Sequence, residues 1–170
     1  MKHIGAVVIA AVLVIAGCVY EAPLTEEHTI PIDPSVLGLW EEVPEGDKPA
    51  DPNERMNIMK YSETEYLVHY PTGKYGMYFR GYPIKIEGVS CVQFQVIGNA
   101  DGDIKKEERT YQVVSYALSQ GELEVRTLNS DLVDKNLKDS AGLRQAFIKN
   151  KDNKDLFREP GKFRRVIKKG

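Results

Sequence analysis

Side chains able to do chemistry are few in this 170-residue chain, and they are poorly spaced for it. There are two cysteines, Cys18 and Cys91, and three histidines, His3, His28 and His69. A thiolate is a nucleophile or metal ligand, and an imidazole shuttles protons or ligates. The histidines lie in separate stretches and match no paired metal-ligand spacing. Gly88-Val89-Ser90-Cys91 lacks the closing glycine of a nucleophile elbow and leads into a strand-like run instead of a helix. Asn99-Ala100-Asp101-Gly102-Asp103 sets oxygens at alternate positions, as a calcium loop does. Its sixth and twelfth positions are Ile104 and Thr110, where such a loop needs Gly and Glu, so it reads as a hairpin loop. No glycine-rich phosphate loop occurs. The expectation is a protein with no catalytic residues, no metal and no cofactor, and therefore not an enzyme.

Cys18 is the exception, because its context supplies a chemistry. Lys2 and His3 precede an apolar run from Ile4 to Ala16, broken in character only by Gly5. That run is too short for the roughly 20 residues a membrane-spanning helix needs, and it fits the apolar centre of a secretory signal. Ile15-Ala16-Gly17-Cys18 resembles the lipobox of bacterial lipoproteins: an aliphatic residue, two small residues and a cysteine. The resemblance implies cleavage before Cys18, a diacylglyceryl group on its sulfur and, in most Gram-negative bacteria, an acyl chain on its amine. Two or three chains hold a protein stably at a bilayer, whereas one does not. Val19 follows the cysteine where an Asp would signal inner-membrane retention, so the expected location is membrane-anchored at the periplasmic face, on the outer membrane if the cell is Gram-negative.

Composition narrows the partners. A net charge of −2 gives no clustered basic field for nucleic acid. The one basic cluster, Lys162, Arg164, Arg165, Lys168 and Lys169, reads as a solvated strand edge and tail. With Cys18 lipidated, Cys91 has no partner for a disulfide and reads as a small buried hydrophobe.

Stepping along the chain, residues 1–17 are the signal, residues 18–36 a flexible tether and residues 37–170 one domain. Pro23, Pro31 and Pro34, with Glu21, Glu26, Glu27 and Asp33, suit a wet linker, and His28 lies within it. Short alternating runs then follow one another. They begin with Gly38–Val43, then Met56–Tyr61, Glu65–Tyr70 and Tyr75–Ile86. After the Glu87-Gly88 turn comes the run through Val92, Phe94 and Val96, then Tyr111–Leu118 and Glu122–Leu128. Tyr66, Val68 and Tyr70 share one face, and Leu123, Val125 and Thr127 another. Gln93 and Gln95 fall on an expected wet face. Ser140 can cap a helix running to about Asn150, with Leu143, Ala146 and Phe147 on its apolar side. Pro160-Gly161 introduces a last strand, Lys162–Ile167. The pattern predicts a mainly-β domain: a small antiparallel up-and-down barrel or curled sandwich of about seven or eight strands, with one helix near the C-terminus.

Gly38-Leu39-Trp40, opening the first strand, is similar to the Gly-x-Trp start of lipocalins. That resemblance implies a basic residue of the last strand, Arg164 or Arg165, packed over Trp40, and a barrel interior that holds a small apolar ligand or lipid. The other expectation is a filled barrel that docks onto another cell-envelope component. The many tyrosines, Tyr78 and Tyr116 among them, suit either strand packing or a partner-facing surface.

Overall fold

A computed structural model of the protein describes residues 19–44, 46, 49–74 and 76–167. The signal segment and Cys18 lie outside the described residues. Nine strands form one antiparallel sheet: β1 Gly38–Glu42, β2 Arg55–Lys60, β3 Tyr66–Tyr70, β4 Met77–Ile86, β5 Val89–Asn99, β6 Gly102–Asp103, β7 Tyr111–Ser119, β8 Glu122–Leu128 and β9 Phe157–Arg165. Their order is β4-β3-β2-β1-β9-β8-β7-β5-β6, and β4 also pairs along its whole length with β5. That last pairing closes eight strands into a barrel and leaves β6 as a short extra strand on β5. Closure gives each of the eight barrel strands a partner on both sides, which an open eight-stranded sheet could not.

Alternation places the side chains. The inward row of β3 is Tyr66, Val68 and Tyr70, all buried, while Leu67 and His69 point outward and are half-buried. β8 sends Leu123, Val125 and Thr127 inward. Inside the barrel these residues meet Trp40, Met56, Ile58, Phe79, Val92, Val96, Val114 and Phe163. A second apolar cluster lies on the outer wall of β4, β5, β7 and β8, where Tyr82, Ile84, Ile86, Cys91, Val113 and Leu128 are buried. Helix α1, Ser140–Lys149, covers that wall with Leu143 and Phe147. Its N-cap is Asp139, whose carboxylate accepts the Gly142 N–H at 2.8 Å; the expected cap, Ser140, is one residue inside. Asp outranks an alternative one residue on because its side chain reaches the orphan amides from an extended backbone.

Three further expectations need correction. The first concerns residues 19–36, which are not a solvated tether. Tyr20 forms an antiparallel bridge with Tyr111, and Tyr20 and Leu24 are buried in the outer cluster. Residues 34–36 then make a 3₁₀ turn whose Val36 is buried in the barrel core. The prolines stop regular structure without preventing packing. Second, Gln93 is fully buried beneath this strap and not on a wet face. Third, the last strand begins at Phe157 and runs through Pro160. Val125 pairs with Gly161 and Thr127 with Arg158, so β9 carries an extra residue there, and a bulge is where a strand tolerates proline.

Candidate functional site

The end of the barrel where β1 begins is closed by a compact device built on Gly38, Trp40 and Arg165. Trp40 and Arg165 are register partners in β1 and β9. The guanidinium carbon of Arg165 lies 4.3 Å from the Trp40 ring centroid, a cation–π contact. Arg165 also donates to the carbonyls of Leu37 at 2.6 Å and Ser35 at 2.5 Å. Trp40 is completely buried and donates its indole N–H to the Val36 carbonyl at 2.8 Å. Gly38 has φ +130°, and a Cβ there would sit 2.7 Å from the Arg165 Nη1. The backbone therefore requires glycine here, and the arginine end passes close over it. Arg164 points the other way and pairs with Glu41, Nε to Oε1 at 2.7 Å. That pairing holds the Glu41 carboxyl below its usual range.

The 3₁₀ turn is tied down at the same end. Asp33 caps it by accepting the Ser35 hydroxyl at 2.6 Å and amide at 2.9 Å. The Asp33 N–H donates to the Tyr66 hydroxyl oxygen at 2.7 Å, and the Tyr116 hydroxyl donates to Asp33 Oδ2 at 3.2 Å. The Ser35 hydroxyl, foremost, lowers the pKa of Asp33, while burial raises those of Tyr66 and Tyr116. Asp33-Pro34-Ser35 is a cap signal that an assignment of the segment as linker passes over.

Between this plug and the far end lies the barrel interior. Its free volume is about 50 Å³, bounded by Val36, Met56, Ile58, Val68, Phe79, Phe94, Val114 and Leu123 together with Tyr66, Gln112 and Tyr116. Pockets for drug-sized ligands are about 300–1,000 Å³, and a cavity that takes benzene is about 150 Å³. Aromatic rings occupy the rest. Phe94 lies against Gly81, its register partner, so closely that a Cβ on Gly81 would be 2.3 Å from the ring. Phe79 meets Phe94 edge-on at 6.2 Å, and Tyr70 meets Phe163 likewise at 5.9 Å.

The remaining candidates are scattered. His69 stacks on Tyr78 at 4.3 Å, and burial lowers its pKa. His28 lies on the strap, 3.4 Å from Glu65 Oε1, and tilts against the Tyr82 ring. Glu65 is itself buried and accepts from Arg80 Nε at 2.8 Å. Cys91 is buried among apolar groups, which pushes its thiol up to about 12. In the Asn99–Asp103 loop, Asn99 Oδ1 accepts the Asp101 N–H at 2.9 Å, and Asn99 pairs with Gly102 across β5 and β6. Tyr78 and Tyr116 are exposed on opposite sides of their strands' pleats, so they do not form one patch.

These features define a class: a closed eight-stranded antiparallel barrel with Trp40 and Arg165 packed at one end, an arrangement compatible with a lipocalin-like fold. Compared with known proteins, the chain matches no family model, no curated protein and no solved structure. Among the described residues, no helix is long and apolar enough to cross a membrane.

Proposed function

We propose that this protein is an envelope lipoprotein, anchored through lipid on Cys18, whose filled barrel acts through its surface by docking onto another envelope component. The observation carrying the filled-barrel reading is the interior free volume of about 50 Å³. That space is well below the roughly 300–1,000 Å³ of pockets that hold drug-sized ligands. The anchor is supported by the lipobox-like Ile15-Ala16-Gly17-Cys18 and the apolar run before it. The reading is non-enzymatic: His69, His28 and Cys91 sit apart, and the Cys91 thiol is held protonated by burial.

A second reading, a carrier of a small apolar ligand, draws support from the apolar lining of the interior. One experiment separates the two. Native mass spectrometry of the protein purified from membranes should show the bare polypeptide plus its covalent lipid, and an apolar fluorescent probe should gain no signal from it. A stoichiometric non-covalent lipid in that spectrum would overturn the filled-barrel reading in favour of the carrier.

A further inference from the structure

Residues 20–28 are tied to the outer wall of the barrel at Tyr20 and Leu24. The Tyr20 N–H donates to the Tyr111 carbonyl and the Tyr20 carbonyl accepts the Tyr111 N–H, both at 2.8 Å. Its hydroxyl donates to the Val133 carbonyl at 3.0 Å, and its ring is 98% buried, with 2% exposed. The Leu24 N–H donates to Gln93 Oε1 at 2.6 Å, and Gln93 Nε2 donates to the Thr25 carbonyl at 2.9 Å. Chain geometry does the rest. Cys18 precedes Tyr20 by two residues, and two residues of chain reach at most about 7 Å. A free tether of the same segment would instead wander about 20–25 Å from its anchor.

Resting on the Cys18 anchor proposed above, we infer that the lipid surface is this protein's contact partner along one defined face, with the β8–β9 connection against the bilayer and the β7–β8 hairpin pointing away. The β8–β9 connection is the neighbour of the anchor because Val133 accepts from Tyr20 and Lys138 pairs with Glu21. Tyr111 opens β7, and eight residues later Ser119 ends it, about 26 Å along the strand. The face near the anchor carries exposed Val19 and the mutually neutralising Glu21–Lys138 pair. The lipid and the strap impose the contact there, and attraction of a basic patch to anionic headgroups does not.

The test uses the full lipidated chain in liposomes of zwitterionic lipid doped with brominated lipid. A Cys91→Ala background leaves only the introduced thiol to label, and bimane is attached at Lys138→Cys, Asn136→Cys or Gln120→Cys. Bromines quench on near contact. The expected result is loss of fluorescence at positions 138 and 136 and none at position 120. Equal quenching, or none, at all three positions in protein whose N-terminal peptide carries lipid would overturn the orientation and leave the anchor standing. An N-terminal peptide without lipid on Cys18 would overturn both.

Discussion

Arg165 shows how much a single side chain can organise. It covers Trp40, approaches Gly38 and donates to the carbonyls of Leu37 and Ser35. Arg165→Lys keeps the charge but cannot reach both carbonyls in one planar fork. It should cost about 1–2 kcal/mol, the value of a lost charge-assisted hydrogen bond discounted for exposure, read as a lower urea midpoint. Arg164→Lys should be nearly neutral, since its pair with Glu41 is exposed. Gly38→Ala forces a side chain into the left-handed region and against the guanidinium, and should cost about 1–3 kcal/mol in the same assay. His69 gives the pH dependence at this scale. Burial against Tyr78 lowers its folded pKa below the ordinary 6.5, so the unfolded chain binds the proton more readily. Its stabilising share is complete above 6.5 and is lost as pH falls below that value. Urea midpoints should therefore drop across that window in the parent and less so in His69→Gln. Asp33 and Glu41, with lowered pKa values, contribute stability that is present above their ordinary values and is lost as pH falls below them toward the lowered folded values.

At the level of elements, the strap is the unit whose behaviour depends on one buried amide. Gln93 accepts from Leu24 and donates to the Thr25 carbonyl and the Tyr82 hydroxyl. Gln93→Leu removes all three bonds at a buried site and should cost about 1–3 kcal/mol for the groups left unpaired. Hydrogen exchange should locate that loss, with faster exchange of the Tyr20 and Leu24 amides and little change in β8. Exchange unchanged at Tyr20 would mean the apolar contacts of the strap hold it alone. Strands β3 and β8 were legible from the chain because alternation is local: each residue's face follows from its neighbour's. Gln93 was not. Its polarity correctly marks the outer face of β5, but the strap that buries that face comes from almost 70 residues earlier. Pro160 misled in the same way, since a bulge that accommodates it exists only against β8.

For the whole molecule, the question is whether the barrel is full, and Phe94 is the means of asking it. Phe94→Ala removes the ring that fills the space over Gly81 and should enlarge the interior toward a cavity that takes a small aromatic. The expected cost is about 3 kcal/mol, and the variant should bind an apolar dye or benzene where the parent does not. A parent that binds as well as the variant would show the interior to be open already. Labelling belongs here too: Cys91 should resist thiol reagents in the folded protein and react on unfolding in urea, because its thiolate is disfavoured by burial.

Taken alone, the chain dictated what is local: the strand faces, the hairpin at Glu87-Gly88, the late helix, and the placement of Gly38 and Trp40 at the start of β1. Choosing between Arg164 and Arg165 needed the register of β9 on β1, which puts Arg165 beside Trp40 and sends Arg164 outward. Closure needed the pairing of β1 with β9, 120 or so residues apart in order, and that register is a sum over many contacts no local pattern encodes. Whether the closed barrel is hollow is the least local question of all. Free volume is the small difference between the space eight strands enclose and the side chains they send inward, and here Trp40, Tyr70, Phe79, Phe94 and Phe163 leave little of it.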